Sequence, residues 1–170
     1  YAELGLLALP FAEEHGGVGG GPVETMIVME ALGRALALEP YLATVVLAGT
    51  ALRLTGSDAQ QAAVLPQIAE GNRLLAFAHG ERQARYDLPD VLTKATRKGD
   101  GWVIDGAKSV VLHGDSADTL IVSARTSGER GDVVEHVSPA SGLVIRNDER
   151  LTRRPHRDGG DRGPPPDGPG

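Results

Sequence analysis

Apolar residues recur with a helical period in the first part of the chain. Met26, Met29, Gly33 and Leu36 lie three or four positions apart, which predicts one buried stripe along a helix. Pro22, just ahead of them, suits a first turn because a proline there loses no internal hydrogen bond. The pattern therefore predicts a helix that begins near Pro22 and packs through this stripe.

Two further helices are predicted next. Residues 42–54 are almost wholly apolar, as in a helix buried on several sides. Gly56 is expected to end that helix with a positive φ. Ser57 and Gln60 have the spacing of a capping box, which predicts the start of a third helix. Gly71 should close it.

The period then becomes strand-like. The apolar run 74–78 and the segment 118–126 each predict a strand. The alternating stretch between them, 90–114, is cut by turn signals at Lys98–Gly101 and Asp105–Gly106, where Asp-Gly favours hairpins. Strands this close in sequence are expected to pair antiparallel, in a meander that curls into a barrel.

The predicted fold class is therefore α+β. An N-terminal all-α helical domain over residues 1–72 is followed by an antiparallel β-barrel-like domain over residues 73–150, which we expect to be truncated. Residues 151–170 hold five Gly, five Pro and one aliphatic side chain, too little apolar surface to offset the entropy of ordering. We predict a disordered Gly/Pro/Arg-rich tail there.

Composition excludes several classes of function. The formal net charge of −6 argues against a nucleic-acid surface, which requires a basic stripe. No apolar run approaches the ~20 residues of a membrane span. The chain has no cysteine and its five histidines show no i, i+4 pair, so we expect no metal site. A cytoplasmic protein with no nucleic-acid or membrane partner is the expectation.

The glycine-rich stretch 13–22 raises the question of phosphate binding. A dinucleotide fingerprint needs G-x-G-x-x-G after a strand, and a phosphate loop needs Gly-Lys-Ser or Gly-Lys-Thr. Neither is present in this stretch. We therefore expect a loop whose glycines permit tight turns.

Five motifs, in order, nevertheless resemble the acyl-CoA dehydrogenase family. They read LPFAEEHGGVGG, MEALGRA, TGSDAQQAAVLPQIAEG, AFAHGE and KGDGWVIDGAKSVVLHG, and the resemblance extends to about residue 130. It implies an N-terminal helical domain and a middle β-barrel domain. In this family the glycine loop is a structural corner near the substrate region and not the phosphate site of the flavin.

The resemblance implies FAD-dependent α,β-dehydrogenation of an acyl-CoA thioester. The family's Thr-Glu-Pro falls on Gly80, Glu81 and Arg82, so the hydroxyl that usually bonds the flavin is absent. Its Trp-Ile-Thr falls on residues 110–112, where the indole and the hydroxyl are also absent. The implied flavin contacts are Phe77, His79, Gly80, Val110, Leu112 and His113.

Other candidate side chains each have a structural alternative. Tyr86 falls where the family lies close to the CoA phosphates and is the candidate substrate contact, or else a half-buried loop tyrosine. His113 is equally well a loop histidine at a strand end. Trp102 is expected to pack in the core. The glutamates Glu13, Glu14 and Glu81 could act as acid or base, but solvated surface is the favoured interpretation.

The resemblance places the catalytic base on a glutamate of a C-terminal four-helix domain, which the 170 residues do not contain. We therefore predict no catalytic residue in this chain, weak FAD retention and no dehydrogenation by the chain alone. A fragment is the expectation, and a shifted reading frame is one hypothesis for its tail.

The resemblance also implies the partners. They are an acyl-CoA, electron-transfer flavoprotein as electron acceptor, and acyl-CoA dehydrogenase subunits in a homo- or hetero-oligomer. Two other functions stay open. One is a non-catalytic partner subunit of a hetero-oligomeric dehydrogenase, and the other is a flavin-free helical binding module. The identity of the acyl chain stays open as well.

Overall fold

The computed structural model describes residues 1–99 and 101–128, together with the backbone of Gly142–Arg146. Within these ranges no helix has the length and apolarity that a membrane crossing requires. The predicted tail, 151–170, and most of the predicted barrel-like domain after residue 128 lie outside the described residues.

The first part of the chain is helical, as predicted. Its main helix begins at Pro22, and the Glu24 carboxylate accepts a hydrogen bond of 2.7 Å from the Gly21 N–H, which caps the first turn. The helical elements in chain order are two short 3-10 turns, Ala2–Leu4 and Glu13–His15, then α1 (Pro22–Arg34), a π-helix (Leu42–Gly49) that continues into α2 (Thr50–Thr55), and α3 (Asp58–Ala69).

The predicted ends of α2 and α3 are only partly right. The capping box is confirmed, because the Gln60 N–H donates to Ser57 Oγ and the Ser57 N–H donates to Gln60 Oε1. Gly71 follows α3 with φ +76° as predicted. Gly56 has φ −74°, so the predicted positive φ is wrong. A glycine suits that position for a different reason, since a Cβ there would lie 2.6 Å from the Leu52 carbonyl oxygen.

The buried stripe of α1 also differs from the prediction. Val28 is buried, and Met29 and Leu32 pack against the core beside it. Met26 is 60 % exposed, and Leu36 lies beyond the end of the helix and is 84 % exposed. Because α1 carries apolar residues on more than one face, its periodicity could not select the face that packs.

The glycine run is a structural corner, as expected. The backbone N–H groups of residues 16–20 donate to carbonyl oxygens of residues 8–13, for example Gly19 N to Phe11 O at 2.8 Å and Gly20 N to Leu9 O at 2.7 Å. These donors are therefore satisfied within the chain and do not form a phosphate cradle. The loop closes over Phe11, which is fully buried in the core.

Within the described residues, five short strands follow the helices. The strands are β1 (Leu75–Ala78), β2 (Lys94–Lys98), β3 (Gly101–Asp105), β4 (Thr119–Ser123) and β5 (Gly142–Arg146). The fold class, a helical domain followed by a β domain, is confirmed.

The strand pairing departs from the predicted meander. β2 and β3 form the hairpin predicted at Lys98–Gly101, and β4 pairs antiparallel with β5. β1, however, pairs parallel with β4, with Leu75 opposite Thr119. The chain between β1 and β4 crosses over through the β2–β3 hairpin, and parallel neighbours require such a long connection. The described strands form two separate sheets, with the orders β1-β4-β5 and β2-β3.

A second departure concerns the expected turn at Asp105–Gly106. The chain leaves β3 at Asp105 and runs as a loop to Asp118, so the alternating residues after Gly106 form no strand. Gly106 has φ +157°, and a Cβ there would lie 2.5 Å from Thr93 Oγ1. The glycine therefore lets the chain cross closely over Thr93 instead of starting a hairpin.

One buried hydroxyl joins the two halves of the fold. Thr44 Oγ1, in the π-helix, donates to the Leu75 carbonyl at 2.9 Å and accepts from the Leu75 N–H at 3.1 Å. Leu75 is also fully buried in the core that holds Leu65 and Ile68 of α3. The first residue of β1 is thus fixed by the helical half.

Replacing Thr44 with Val should lower the free energy of unfolding by roughly 1–3 kcal/mol, because both polar groups of Leu75 lose a buried partner. Urea unfolding followed by circular dichroism measures the change. Thr96→Val, an exposed strand position, is the matched control and should stay within about 0.5 kcal/mol of wild type. Equal effects of the two substitutions would contradict the role of Thr44.

Candidate functional site

The end of β1 leads directly into a buried carboxylate. Glu81 Oε1 accepts from the Thr93 N–H at 3.0 Å and from Thr93 Oγ1 at 2.6 Å. Glu81 Oε2 accepts from the Leu92 N–H at 2.7 Å and from Gln83 Nε2 at 2.6 Å. The expectation that Glu81 lies on the solvated surface is therefore wrong, because its side chain is only 2 % exposed.

A buried lysine supplies the counter-charge. Lys108 Nζ lies 2.8 Å from Glu81 Oε1 and donates in addition to Ser123 Oγ at 3.0 Å and to the His79 carbonyl at 3.1 Å. An ammonium has three donors, and all three are used here. The lysine side chain is 9 % exposed.

The environment keeps Glu81 ionised. Burial by itself would raise the pKa of Glu81, but the hydrogen bonds from Lys108, Thr93, the Leu92 N–H and Gln83 outweigh it and hold the pKa well below its usual range. A carboxylate so fully engaged has no lone pair free to take a substrate proton. Glu81 is therefore a structural anion and not a general base.

The two other glutamates considered as acid or base, Glu13 and Glu14, are exposed, as expected. In the described part of the chain, no group of three or more His, Asp or Glu side chains is arranged to hold a metal ion.

His79 lies beside this ion pair. Its Nδ1 is 2.9 Å from Ser123 Oγ, and its ring stacks on Phe77 with centroids 5.5 Å apart and planes 14° apart. Burial lowers the pKa of His79, and the nearby Lys108 charge lowers it further. Both effects favour the neutral imidazole, which suits a contact with an uncharged ring system.

The structure brings together the two segments that the resemblance assigned to the flavin. The Ser109 N–H donates to the Gly80 carbonyl at 2.8 Å. The preceding residues of the two segments are also in contact, because Lys108 Nζ donates to the His79 carbonyl. A Cβ on Gly80 would lie 3.0 Å from the Ser109 carbonyl oxygen. The family's threonine would therefore need Ser109 to shift.

The second of these segments has an unusual backbone. Val110 and His113 both have φ +54°, a region that a β-branched residue rarely adopts. Val110 is 92 % exposed and Leu112 is 46 % exposed, whereas His113 is half-buried. Strained backbone residues cluster at ligand-binding sites, so this loop is a candidate ligand-facing surface.

Tyr86 lies on the loop that connects Glu81 to Thr93 and is 99 % exposed. The alternative of a half-buried loop tyrosine is therefore wrong. The loop is closed at its base by Glu81, through Leu92 and Thr93. Trp102 is half-buried on β3 and lies outside the hydrophobic core cluster of the described residues, so its predicted core role is not borne out.

Sequence reasoning missed Lys108, Thr93 and Ser123. A signal for Lys108 was present, because the motif GWVIDGAK carries a lysine at the position where the family's motif also has one. No local pattern indicated Thr93 or Ser123, since their contacts with Glu81 and Lys108 cross between separate segments of the chain.

Replacing Glu81 with Gln should lower the free energy of unfolding at neutral pH by roughly 3–5 kcal/mol, because the Lys108 charge is left buried without its counter-charge. The pKa of Glu81 is lower in the folded state than its ordinary value of 4.5. The wild type should therefore lose this stabilisation progressively as the pH falls below about 5 toward the lowered pKa of the folded state, and the variant should lose less.

Urea unfolding across that pH range checks the Glu81 prediction. Glu30→Gln, which removes only an exposed 3.1 Å ion pair with Arg34, is the control and should change stability by less than about 1 kcal/mol. Parallel pH profiles of wild type and Glu81→Gln would contradict the assignment.

Comparison with known proteins identifies the family. Residues 1–72 match the model of the acyl-CoA dehydrogenase N-terminal domain, and residues 76–163 match that of the acyl-CoA dehydrogenase middle domain. The probable acyl-CoA dehydrogenase YngJ of Bacillus subtilis is 36 % identical over 126 residues, which cover 73 % of this chain and 33 % of YngJ. The chain spans about a third of the length of the curated relatives it matches.

Solved structures agree with these matches. The ChsE4-ChsE5 complex of Mycobacterium tuberculosis has a TM-score of 0.67 at 30 % identity, covering 85 % of this chain and 36 % of that one. An FAD-dependent dehydrogenase has a TM-score of 0.64 at 28 % identity, covering 74 % of this chain and 35 % of that one. With both domain models matched over most of its length, this chain belongs to the acyl-CoA dehydrogenase family.

Proposed function

We propose that this chain provides the helical and flavin-facing part of an FAD-dependent acyl-CoA dehydrogenase, which removes hydrogen from carbons 2 and 3 of an acyl-CoA thioester. Family membership supports the reaction class. The observation that carries the proposal is the hydrogen bond of 2.8 Å between the Ser109 N–H and the Gly80 carbonyl. It holds side by side the two segments that face the flavin in this family.

The residues present fit a flavin ring. Val110 and Leu112 expose apolar side chains that a cofactor ring could cover, and apolar surface of this kind favours burial. When bound, FAD supplies the hydride acceptor. The residues that would hold and orient it are Phe77, His79, Gly80, Val110, Leu112 and His113.

The flavin contact proposed here is weaker than the family's. Gly80 offers only backbone groups where the family has a hydroxyl, and positions 110 and 112 lack the family's indole and second hydroxyl. Apolar contact and backbone hydrogen bonds would then hold the ring. We infer that the 170-residue chain retains FAD weakly.

The substrate contact proposed for this chain is Tyr86. Its phenol is fully exposed and can donate to a phosphate or carbonyl oxygen of CoA. The acyl type stays open. Electron-transfer flavoprotein as electron acceptor, a cytoplasmic location and the domain boundaries at residues 72 and 150 stay part of the proposal.

A second candidate function is a non-catalytic partner subunit. The departures at Gly80, Arg82, Val110 and Leu112 favour it, and the related ChsE4-ChsE5 structure is a complex of two proteins. Co-expression with a full-length homologue from the same genome separates the two functions. A mixed oligomer, active only through the homologue's own base, would support the partner role.

Replacing Val110 with Asp should weaken FAD binding by about tenfold or more, because burying a valine on a ligand contributes about 1.5–3 kcal/mol. Quenching of flavin fluorescence on titration with the 170-residue chain gives the affinity. Val23→Asp is the matched control, since Val23 is also an exposed valine, and it should bind like wild type. Equal affinity of Val110→Asp and wild type would contradict the flavin site.

The 170-residue chain alone should not reduce an electron-accepting dye in the presence of FAD and an acyl-CoA. A general base must lie within hydrogen-bond reach of the proton it removes. Glu81 lies within the first flavin-facing segment, but its carboxylate is already occupied by hydrogen bonds and by the ion pair with Lys108. Dye reduction above that of FAD and acyl-CoA without protein would show that a base exists within these residues.

A further inference from the structure

The Lys108 ammonium connects two other segments of the chain to its own. It contacts the His79 carbonyl and the Glu81 carboxylate just after β1, and the Ser123 hydroxyl at the end of β4. No fourth donor is left over. The position of Lys108 is therefore determined by all three partners at once.

The residues on either side of Lys108 are fixed as a consequence. Lys108 Nζ donates to the His79 carbonyl, and the N–H of the next residue, Ser109, donates to the Gly80 carbonyl. Two consecutive residues of one segment are thus hydrogen-bonded to two consecutive residues of the other. Two positions earlier, Gly106 lies tightly against Thr93. The path of the chain from the end of β3 to Val110 is thus held at three points.

Stability alone does not account for this buried pair. Replacing a buried ion pair by well-packed apolar residues is often neutral or stabilising, because desolvation of both charges offsets their attraction. An apolar pair could not make directional hydrogen bonds, and it is these bonds that specify where the residues after Lys108 lie. The next residues here are Ser109 and Val110.

We propose that Lys108 is a positioning residue that fixes the path of residues 109–113 and so holds Val110 and Leu112 toward the ligand. Glu81 has the corresponding role for the loop between β1 and β2. Through Leu92, Thr93 and Gln83, its carboxylate closes the loop that carries Tyr86. One ion pair thereby fixes the positions of residues 109–113 and of the loop that carries Tyr86. The ligand part of this inference rests on the proposed function.

Native-state hydrogen exchange of the 170-residue chain tests the positioning role without any ligand. In Lys108→Met, the protection of the Ser109 amide should fall at least about tenfold more than that of the Ile121 amide in β4, because only the local attachment is lost. Ser123→Ala, which removes one of three partners and keeps the ion pair, should give a smaller fall in the same direction. Lys98→Met, an exposed lysine in β2, should leave both amides unchanged.

The FAD affinity of the same proteins tests the ligand part. Lys108→Met should bind FAD about tenfold more weakly than wild type, and Lys98→Met should bind like wild type. An equal loss of protection at Ser109 and Ile121 would show that Lys108 contributes only to global stability and would overturn the proposal. If the wild type binds FAD, a selective loss at Ser109 with unchanged FAD affinity would overturn the ligand part of the proposal.

The failure of the proposed function would look different. If the wild-type chain binds no FAD and Ser109 alone loses protection in Lys108→Met, the flavin assignment is wrong and the positioning role stands.

Discussion

A buried carboxylate must be fully satisfied, and this requirement organises the β domain. An ionised Glu81 without partners would be too costly to bury, so five donors from four residues converge on it. These donors come from the loop between β1 and β2, including the two residues just before β2, and from the loop after β3. The requirements of one charged group thus bring distant segments together, where apolar packing would leave their relative positions less defined.

The helical half supplies the fixed end of this arrangement. Leu75 begins β1 inside the helical core, and Thr44 binds both of its backbone groups. The three remaining residues of β1, 76–78, then separate Leu75 from His79. Because β1 also pairs in parallel with β4, the position of Ser123 follows from that of Ala78 and Val122. The helices therefore influence the candidate site through the register of two short strands.

The sequence predicted those elements whose signals are local. The capping box of Ser57 and Gln60, the hairpin at Lys98–Gly101 and the closing Gly71 each depend on residues within a few positions, and each is confirmed. The motifs, read as an ordered set, predicted the family as well. Their strength lay in their order and not in any one of them.

The features that the sequence did not predict depend on contacts between distant segments. The burial of Glu81 requires Lys108, and the parallel pairing of β1 requires a crossover of about forty residues, so neither leaves a local pattern. Met26 shows the same limit within a helix, since both faces of α1 are apolar and only the core selects one. Gly106 was correctly noticed as special, but its reason is the proximity of Thr93.

The departures from the family motif and the strained backbone lie in the same place. Val110 and His113 adopt positive φ values, and each such residue costs about 1–3 kcal/mol unless its surroundings enforce the conformation. The contacts of Lys108 and Ser109 with His79 and Gly80 hold the chain immediately before Val110, and the Ser116 N–H donates to the His113 carbonyl at 3.2 Å. A threonine at position 80 would press on the Ser109 oxygen and disturb those contacts. The missing hydroxyl and the close approach of the loop are therefore linked, because the absence of a side chain at position 80 lets the loop attach this closely without a shift of Ser109.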